Sequence, residues 1–199
     1  MNFRKFDIDS IPEDLKQSLI REFIFSIKHQ TPFVDYSQIY ETVDKTSIAY
    51  IEDSESYIKN LGGNSASIKF FTVSPILVKK LQNFYKNKDS FLSQCGYCYQ
   101  LVNGGNYMIP HIDPPKHRTE SMVYVLSQGN TPAITTWYKS KKEFEHLEIR
   151  HSVSIPFEHL DPIEEVTAQT DTWYWYNVSV MHSVTNLSGD RMFLQAFGV

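Results

Sequence analysis

Asn103-Gly104-Gly105-Asn106-Tyr107-Met108-Ile109-Pro110-His111-Ile112-Asp113 reads as a glycine turn running into a strand that ends on two side chains able to ligate a metal, two positions apart. Successive side chains of a strand point to opposite faces, so His111 and Asp113 aim at one point while Ile112 packs the other way. His182 would complete a two-histidine, one-carboxylate set, which leaves positions open on a non-haem Fe(II) for O2 and an organic co-substrate. Imidazole with carboxylate suits Fe(II). Thiolates would point to zinc or iron–sulfur chemistry and oxygens alone to calcium or magnesium, although zinc could occupy the iron site as an inert substitute.

Working outward, Val180-Met181-His182-Ser183-Val184-Thr185-Asn186-Leu187-Ser188-Gly189-Asp190-Arg191 reads as strand, turn and strand. The expectation is a hairpin of two antiparallel neighbours, with His182 and Arg191 on one side of it. A guanidinium beside the metal wants a carboxylate, and its fork of donors fits one bidentately. Arg191 is therefore the candidate clamp for the distal carboxylate of a dicarboxylic co-substrate.

Helix signals nearly vanish from Gly96 onward. Strands are expected at Tyr97–Val102, Tyr107–Ile112, Ser121–Leu126, Ala133–Tyr138, Leu147–Ile155, Glu165–Ala168 and Thr172–Tyr176, followed by the final hairpin. About eight short strands suit a jelly roll, whose double sheet manages its edges and leaves a ligand cavity. Before Gly96, Ser10-Ile11-Pro12-Glu13 resembles a capping box, and Leu15, Leu19, Ile20, Phe23, Ile24 and Ile27 recur at helical spacing to about His29. Ser74-Pro75 opens a second helix, to about Asn87, with Leu77, Leu81, Phe84 and Tyr85 on one face. Short strands are expected at Ser47–Ile51 and Ser67–Val73. The fold class is mainly β with supporting helices, in one domain over residues 1–199. Residues 1–94 give support and residues 95–199 give the core that carries the metal site.

At 199 residues the chain can bury most of its apolar surface without disulfides or structural metals. A net charge of −4 gives no global basic field for nucleic acid. The basic runs Lys116–Arg118 and Lys139–Lys142 read as solvated loop surface. Cys95 and Cys98 form a CxxC that enters a strand, so they read as two reduced cysteines rather than a redox or zinc pair. The N-terminus lacks the apolar core of a signal peptide and nothing approaches a membrane span, which predicts a soluble, cytoplasmic protein with no membrane partner. His29, His117, His146, His151 and His159 lack partners at ligand spacing, with His117 close enough to the ligand pair to line the mouth of the site. In Thr172–Asn177, alternation sends Trp173 and Trp175 to one face and Tyr174 and Tyr176 to the other.

The order of glycine turn, His111 and Asp113, distal His182 and Arg191, followed by the last strand Met192-Phe193-Leu194-Gln195-Ala196-Phe197, resembles the Fe(II)/2-oxoglutarate-dependent dioxygenases, in particular their prolyl-hydroxylase-like branch. The resemblance covers the C-terminal half. It implies a double-stranded β-helix of jelly-roll or cupin-like type, Fe(II) on His111, Asp113 and His182, and the distal carboxylate of 2-oxoglutarate on Arg191. It further implies that O2 and 2-oxoglutarate are consumed to succinate and CO2 while a C–H bond is hydroxylated. Tyr99 or Tyr107 stands where relatives place a tyrosine that touches 2-oxoglutarate, and Tyr99 is preferred. Phe193, where many relatives have a small polar residue, and Asp171, where a glycine is common, depart from the pattern. The substrate, a peptide with a prolyl-type residue or a small molecule, is left open, as is the oligomeric state. Pro114–Glu120 and Tyr138–His146 are expected to flank the mouth and set specificity. The rival readings are a non-catalytic jelly-roll binding module and a cupin-like metalloenzyme that does not use 2-oxoglutarate, against which Arg191 speaks.

Overall fold

The computed structural model describes residues 1–35, 66–103, 105, 107–112, 120–141 and 157–198. Its elements are β1 (Phe3–Lys5), α1 (Glu13–His29), β2 (Val34–Asp35), β3 (Ser67–Thr72), α2 (Pro75–Tyr85), β4 (Gly96–Asn103), β5 (Met108–His111), β6 (Glu120–Ser127), β7 (Ile134–Ser140), β8 (Leu160–Thr167), β9 (Trp173–Asn177), β10 (His182–Thr185) and β11 (Arg191–Phe197). They form a seven-stranded sheet ordered β1-β9-β6-β11-β4-β3-β2 and a four-stranded sheet ordered β5-β10-β7-β8. Every strand pair is antiparallel. From β4 onward the chain steps between the sheets at every connection except the β7–β8 hairpin. That winding makes the core a double-stranded β-helix of the jelly-roll type.

Strand alternation divides the large sheet between two cores. Tyr99, Leu101, Tyr124, Trp173 and Leu194 face α1 and α2, where they meet Leu19, Phe23, Leu81 and Tyr85. The intervening Val102, Val123, Val125, Tyr174 and Phe193 face the small sheet and share a core with Met108, Ala133 and Leu187. Leu19, Phe23, Leu81 and Tyr85 have no exposed surface, and burial of such a side chain stabilises the fold by roughly 1.5–3 kcal/mol. The aromatic strand β9 splits as alternation requires, Trp173 towards the helices and Tyr174 and Tyr176 between the sheets.

Both helices occupy the expected stretches, but α1 starts without its capping box. Pro12 is the N-cap and no side chain caps the helix, while the Ser10 hydroxyl donates to the Asp171 carbonyl at 2.7 Å. Glu13 and Asp14 in the first turn meet the positive helix end. Ser74 caps α2 as expected, accepting from the Leu77 N–H. Strand β8 begins earlier than its sequence suggests, because Pro162 and acidic residues hide the strand pattern. It is the last strand of its sheet, and an edge tolerates a proline that cannot donate.

The expected final hairpin does not form. β10 pairs with β5 and β7, whereas β11 pairs with β4 and β6, so the link Asn186–Asp190 crosses from one sheet to the other. Asn186 (φ 58°) and Gly189 (φ 74°) supply its left-handed turns. The link is tied to the β6–β7 crossing, with Asn130 N donating to Ser188 O at 2.7 Å and Asn186 Nδ2 to Pro132 O at 2.7 Å. The strands expected at Ser47–Ile51 and Leu147–Ile155 lie outside the described residues, as do Pro114–Thr119 and the C-terminal part of Tyr138–His146. Among the described residues no helix is long and apolar enough to cross a membrane.

Candidate functional site

His182 and His111 are register partners on β10 and β5. Their ring centroids lie 4.5 Å apart, and both side chains are buried. Ile112 turns to the other side of the small sheet, where it packs with Tyr138, Leu160 and Met181. His182 Nδ1 lies 2.9 Å from the Val180 carbonyl. A carbonyl only accepts, so Nδ1 carries the proton there and the lone pair of a neutral ring is on Nε2, the atom of that tautomer that can ligate a metal. Asp113 lies outside the described residues. Among the described residues no three His, Cys, Asp or Glu side chains gather as a metal site.

His182 is also the register partner of Trp137, and cross-strand partners share a face. Trp137 stacks on Tyr176 of the large sheet at 5.6 Å. The two imidazoles therefore belong to the surface that looks into the space between the sheets.

Arg191 opens β11 and is 2% exposed, which is far below what a guanidinium normally accepts. It lies over the Phe193 ring at 4.8 Å, so the phenylalanine that departs from the family pattern forms a cation–π floor. Its buried Nε has no hydrogen-bond partner, and among the described residues no carboxylate pairs with it. Burial pulls the Arg191 pKa down to about 10, an effect eased by the Tyr176 phenol. Tyr176 in turn is pushed well up by burial, with Arg191 pulling the other way. This tyrosine retains some accessible surface.

Tyr99 does not meet Arg191. It faces the helices, stacks on Phe23 at 4.4 Å and donates to Glu22 Oε1 at 3.0 Å. Tyr99 is an odd-numbered member of β4, and only the even positions of that strand look between the sheets. The tyrosine whose phenol couples electrostatically to the arginine is Tyr176, which the sequence offered only as one half of an aromatic pair. Cys95 and Cys98 are free thiols. Asp171 adopts φ 60°, the conformation for which glycine is the usual choice.

No protein-family model matches the sequence, nor does any curated protein. Solved structures do match. The non-heme alpha ketoglutarate dependent epimerase SnoN from nogalamycin biosynthesis is 8% identical with a TM-score of 0.52, over 98% of this chain and 76% of its own. A Pseudomonas putida prolyl-4-hydroxylase is 13% identical with a TM-score of 0.47, over 100% of this chain and 93% of its own. The likeness is one of fold. At such identities the chemistry has to be argued from the residues between the sheets.

Two features of that space were missed in the sequence. Trp137 packs between Phe3 and Tyr176, at 5.8 and 5.6 Å, and connects the histidine-bearing sheet to the arginine-bearing one. Phe3 arrives from the N-terminal strand β1, which pairs with β9. Only the aromatic alternation of Trp173–Tyr176 hinted at such a wall.

Proposed function

We propose that the space between the sheets is the active site of an Fe(II)- and 2-oxoglutarate-dependent dioxygenase that hydroxylates an unactivated C–H bond. One observation carries this reading: a buried guanidinium with no carboxylate partner among the described residues lies on the sheet that faces the one carrying two paired imidazoles. A buried, unpaired cation is costly, and a carboxylate placed there would remove the cost. The donor types fit the iron: His111 and His182, with Asp113 two positions after His111 in the sequence, would hold it. When bound, Fe(II) would supply the activation of O2 that couples 2-oxoglutarate, O2 and R–H to succinate, CO2 and R–OH.

The chain's own residues have separate tasks. Arg191 would bind the distal carboxylate, and the Tyr176 hydroxyl would donate a second hydrogen bond to it. Phe193, Tyr174 and Trp137 would wall the clamp from water, which strengthens the ion pair. The Val180 carbonyl would hold the His182 ring in its tautomer and orientation. A peptidyl residue of the prolyl type is the first substrate to test. The retained arginine is also the feature that disfavours a binding module or a cupin-like enzyme working without 2-oxoglutarate.

The test requires no substrate. Protein loaded anaerobically with Fe(II) should develop a weak visible charge-transfer band on addition of 2-oxoglutarate and, once aerated, should form succinate slowly. Folded, iron-loaded protein that does neither refutes the reading.

A further inference from the structure

One inward rung runs across all four strands of the small sheet: His111 on β5, His182 on β10, Trp137 on β7 and Glu164 on β8. Cross-strand partners share a face, so the rung begins at the paired imidazoles and ends at a carboxylate on the last strand. β8 ends the small sheet, β1 ends the large one, and no ladder joins the two. Individual groups span the gap instead. The Asn2 N–H donates to Glu164 Oε2 at 2.7 Å, and the Phe3 ring stacks on Trp137 with centroids 5.8 Å apart and planes 14° from parallel.

The Trp137 indole hangs at the same seam. Its Nε1–H donates to the Asn177 carbonyl at 2.9 Å, and the Asn177 N–H donates in turn to the Asn2 carbonyl at 2.8 Å. Trp137 has no exposed surface, and its stacking partners are Phe3 from β1 and Tyr176 from β9. β1 is therefore the side wall of the inter-sheet space at the Trp137 end of the rung.

This wall is held more lightly than the sheets it closes. β1 has three residues, paired along one edge with Tyr176, Trp175 and Tyr174, whereas β11 is paired on both sides. Arg4 and Lys5 are exposed, and Phe3 turns into the inter-sheet core. The Phe6 N–H, bonded to the Trp173 carbonyl at 3.0 Å, marks the end of the pairing. Segments with few buried contacts and short ladders open locally, well below the free energy of global unfolding.

We propose that β1 is a strap: it swings about Phe6 away from β9 and Trp137 without unfolding the sandwich, and its release opens the inter-sheet space beside the paired imidazoles. Phe3 on Trp137 and Asn2 on Glu164 are its two latches. The use of the opening as an entrance rests on the reading of that space as the reaction chamber; the motion itself does not.

Two indoles measure the motion. Trp137 reports the strap, and Trp173, which donates to the Tyr85 hydroxyl at 2.8 Å on the helix side, reports the rest of the fold. Their N–H exchange into D2O is followed by NMR on the full chain, free of metal and 2-oxoglutarate. In wild type Trp137 should exchange at least about tenfold faster than Trp173. Phe3→Ala should speed Trp137 about tenfold further and leave Trp173 unchanged. Glu164→Ala should act in the same direction, and Glu164→Gln, which keeps an acceptor for the Asn2 N–H, less so. Diethylpyrocarbonate should acylate His182 about tenfold faster in Phe3→Ala than in wild type, as read by mass spectrometry. Equal exchange of the two indoles in wild type, or equal acceleration of both in the variants, overturns the proposal, because β1 would then open only with the whole fold. An unchanged His182 rate overturns it too, because the opening would not lead to the imidazoles. Should Phe3→Ala fail to fold, the wild-type rates and the Glu164 variants decide. With metal and co-substrate absent, a failed charge-transfer test leaves this result standing, and a failure here leaves that test intact.

Discussion

Arg191 is 2% exposed and its Nε is unbonded, so in protein without co-substrate it lowers stability. Arg191→Met should raise the unfolding free energy by about 1–2 kcal/mol, since an apolar side chain of similar volume removes a buried charge. Added 2-oxoglutarate should raise the melting temperature of the wild type and leave the variant unchanged; equal shifts would remove Arg191 from the clamp. The two tyrosines separate just as cleanly. Tyr176→Phe should weaken 2-oxoglutarate by about tenfold through the lost hydrogen bond. Tyr99→Phe should leave that affinity alone and cost about 1 kcal/mol of stability through the lost hydrogen bond to Glu22, whose Oε1 keeps the Ser74 N–H. Isothermal titration and urea denaturation of both variants check this pair. That His111 and Ile112 face opposite ways was legible in the sequence because strand alternation is a local rule. The electrostatic coupling of Tyr176 to Arg191 was not, since it depends on which strands lie across the sheet.

At the scale of elements, the crossing links decide whether β10 and β11 enter opposite sheets. Gly129 (φ 76°) and Gly189 (φ 74°) both occupy the left-handed region. A Cβ on Gly129 would stand 2.4 Å from the Ser188 carbonyl oxygen, whereas one on Gly189 would meet the Asn130 carboxamide at 2.9 Å. Backbone cannot yield and a side-chain amide can. Gly189→Ala should therefore cost about 1–2 kcal/mol and Gly129→Ala about 3 kcal/mol or more, as measured by urea denaturation. The reverse order would mean that the two links do not pack on each other. The hairpin expectation failed at this scale. Strand, turn and strand look alike in sequence whether the second strand pairs with the first or crosses to another sheet. Here Arg191–Phe197 finds full-length partners in β4 and β6, more hydrogen bonds than the four-residue β10 could offer.

For the whole molecule, the large sheet serves as a partition with helices on one face and the proposed chemistry on the other. Leu19 has no exposed surface and lies in the helix-side core. Leu19→Ala should cost about 2–4 kcal/mol while leaving the 2-oxoglutarate affinity of the folded protein unchanged; a parallel loss of affinity would show that the faces are coupled. Sequence by itself determined the periodicities: two amphipathic helices, a run of short strands, and His111 with Ile112 turned away from it, because each depends only on residues a few positions apart. Tertiary structure alone decided which face each strand shows to which neighbour. It paired His111 with His182 across β5 and β10, sent Tyr99 to the helices, and turned Tyr176 and a buried Arg191 to the same face of the large sheet. Sheet order and crossing links are long-range choices, made by the joint burial of many side chains, and no local pattern encodes them.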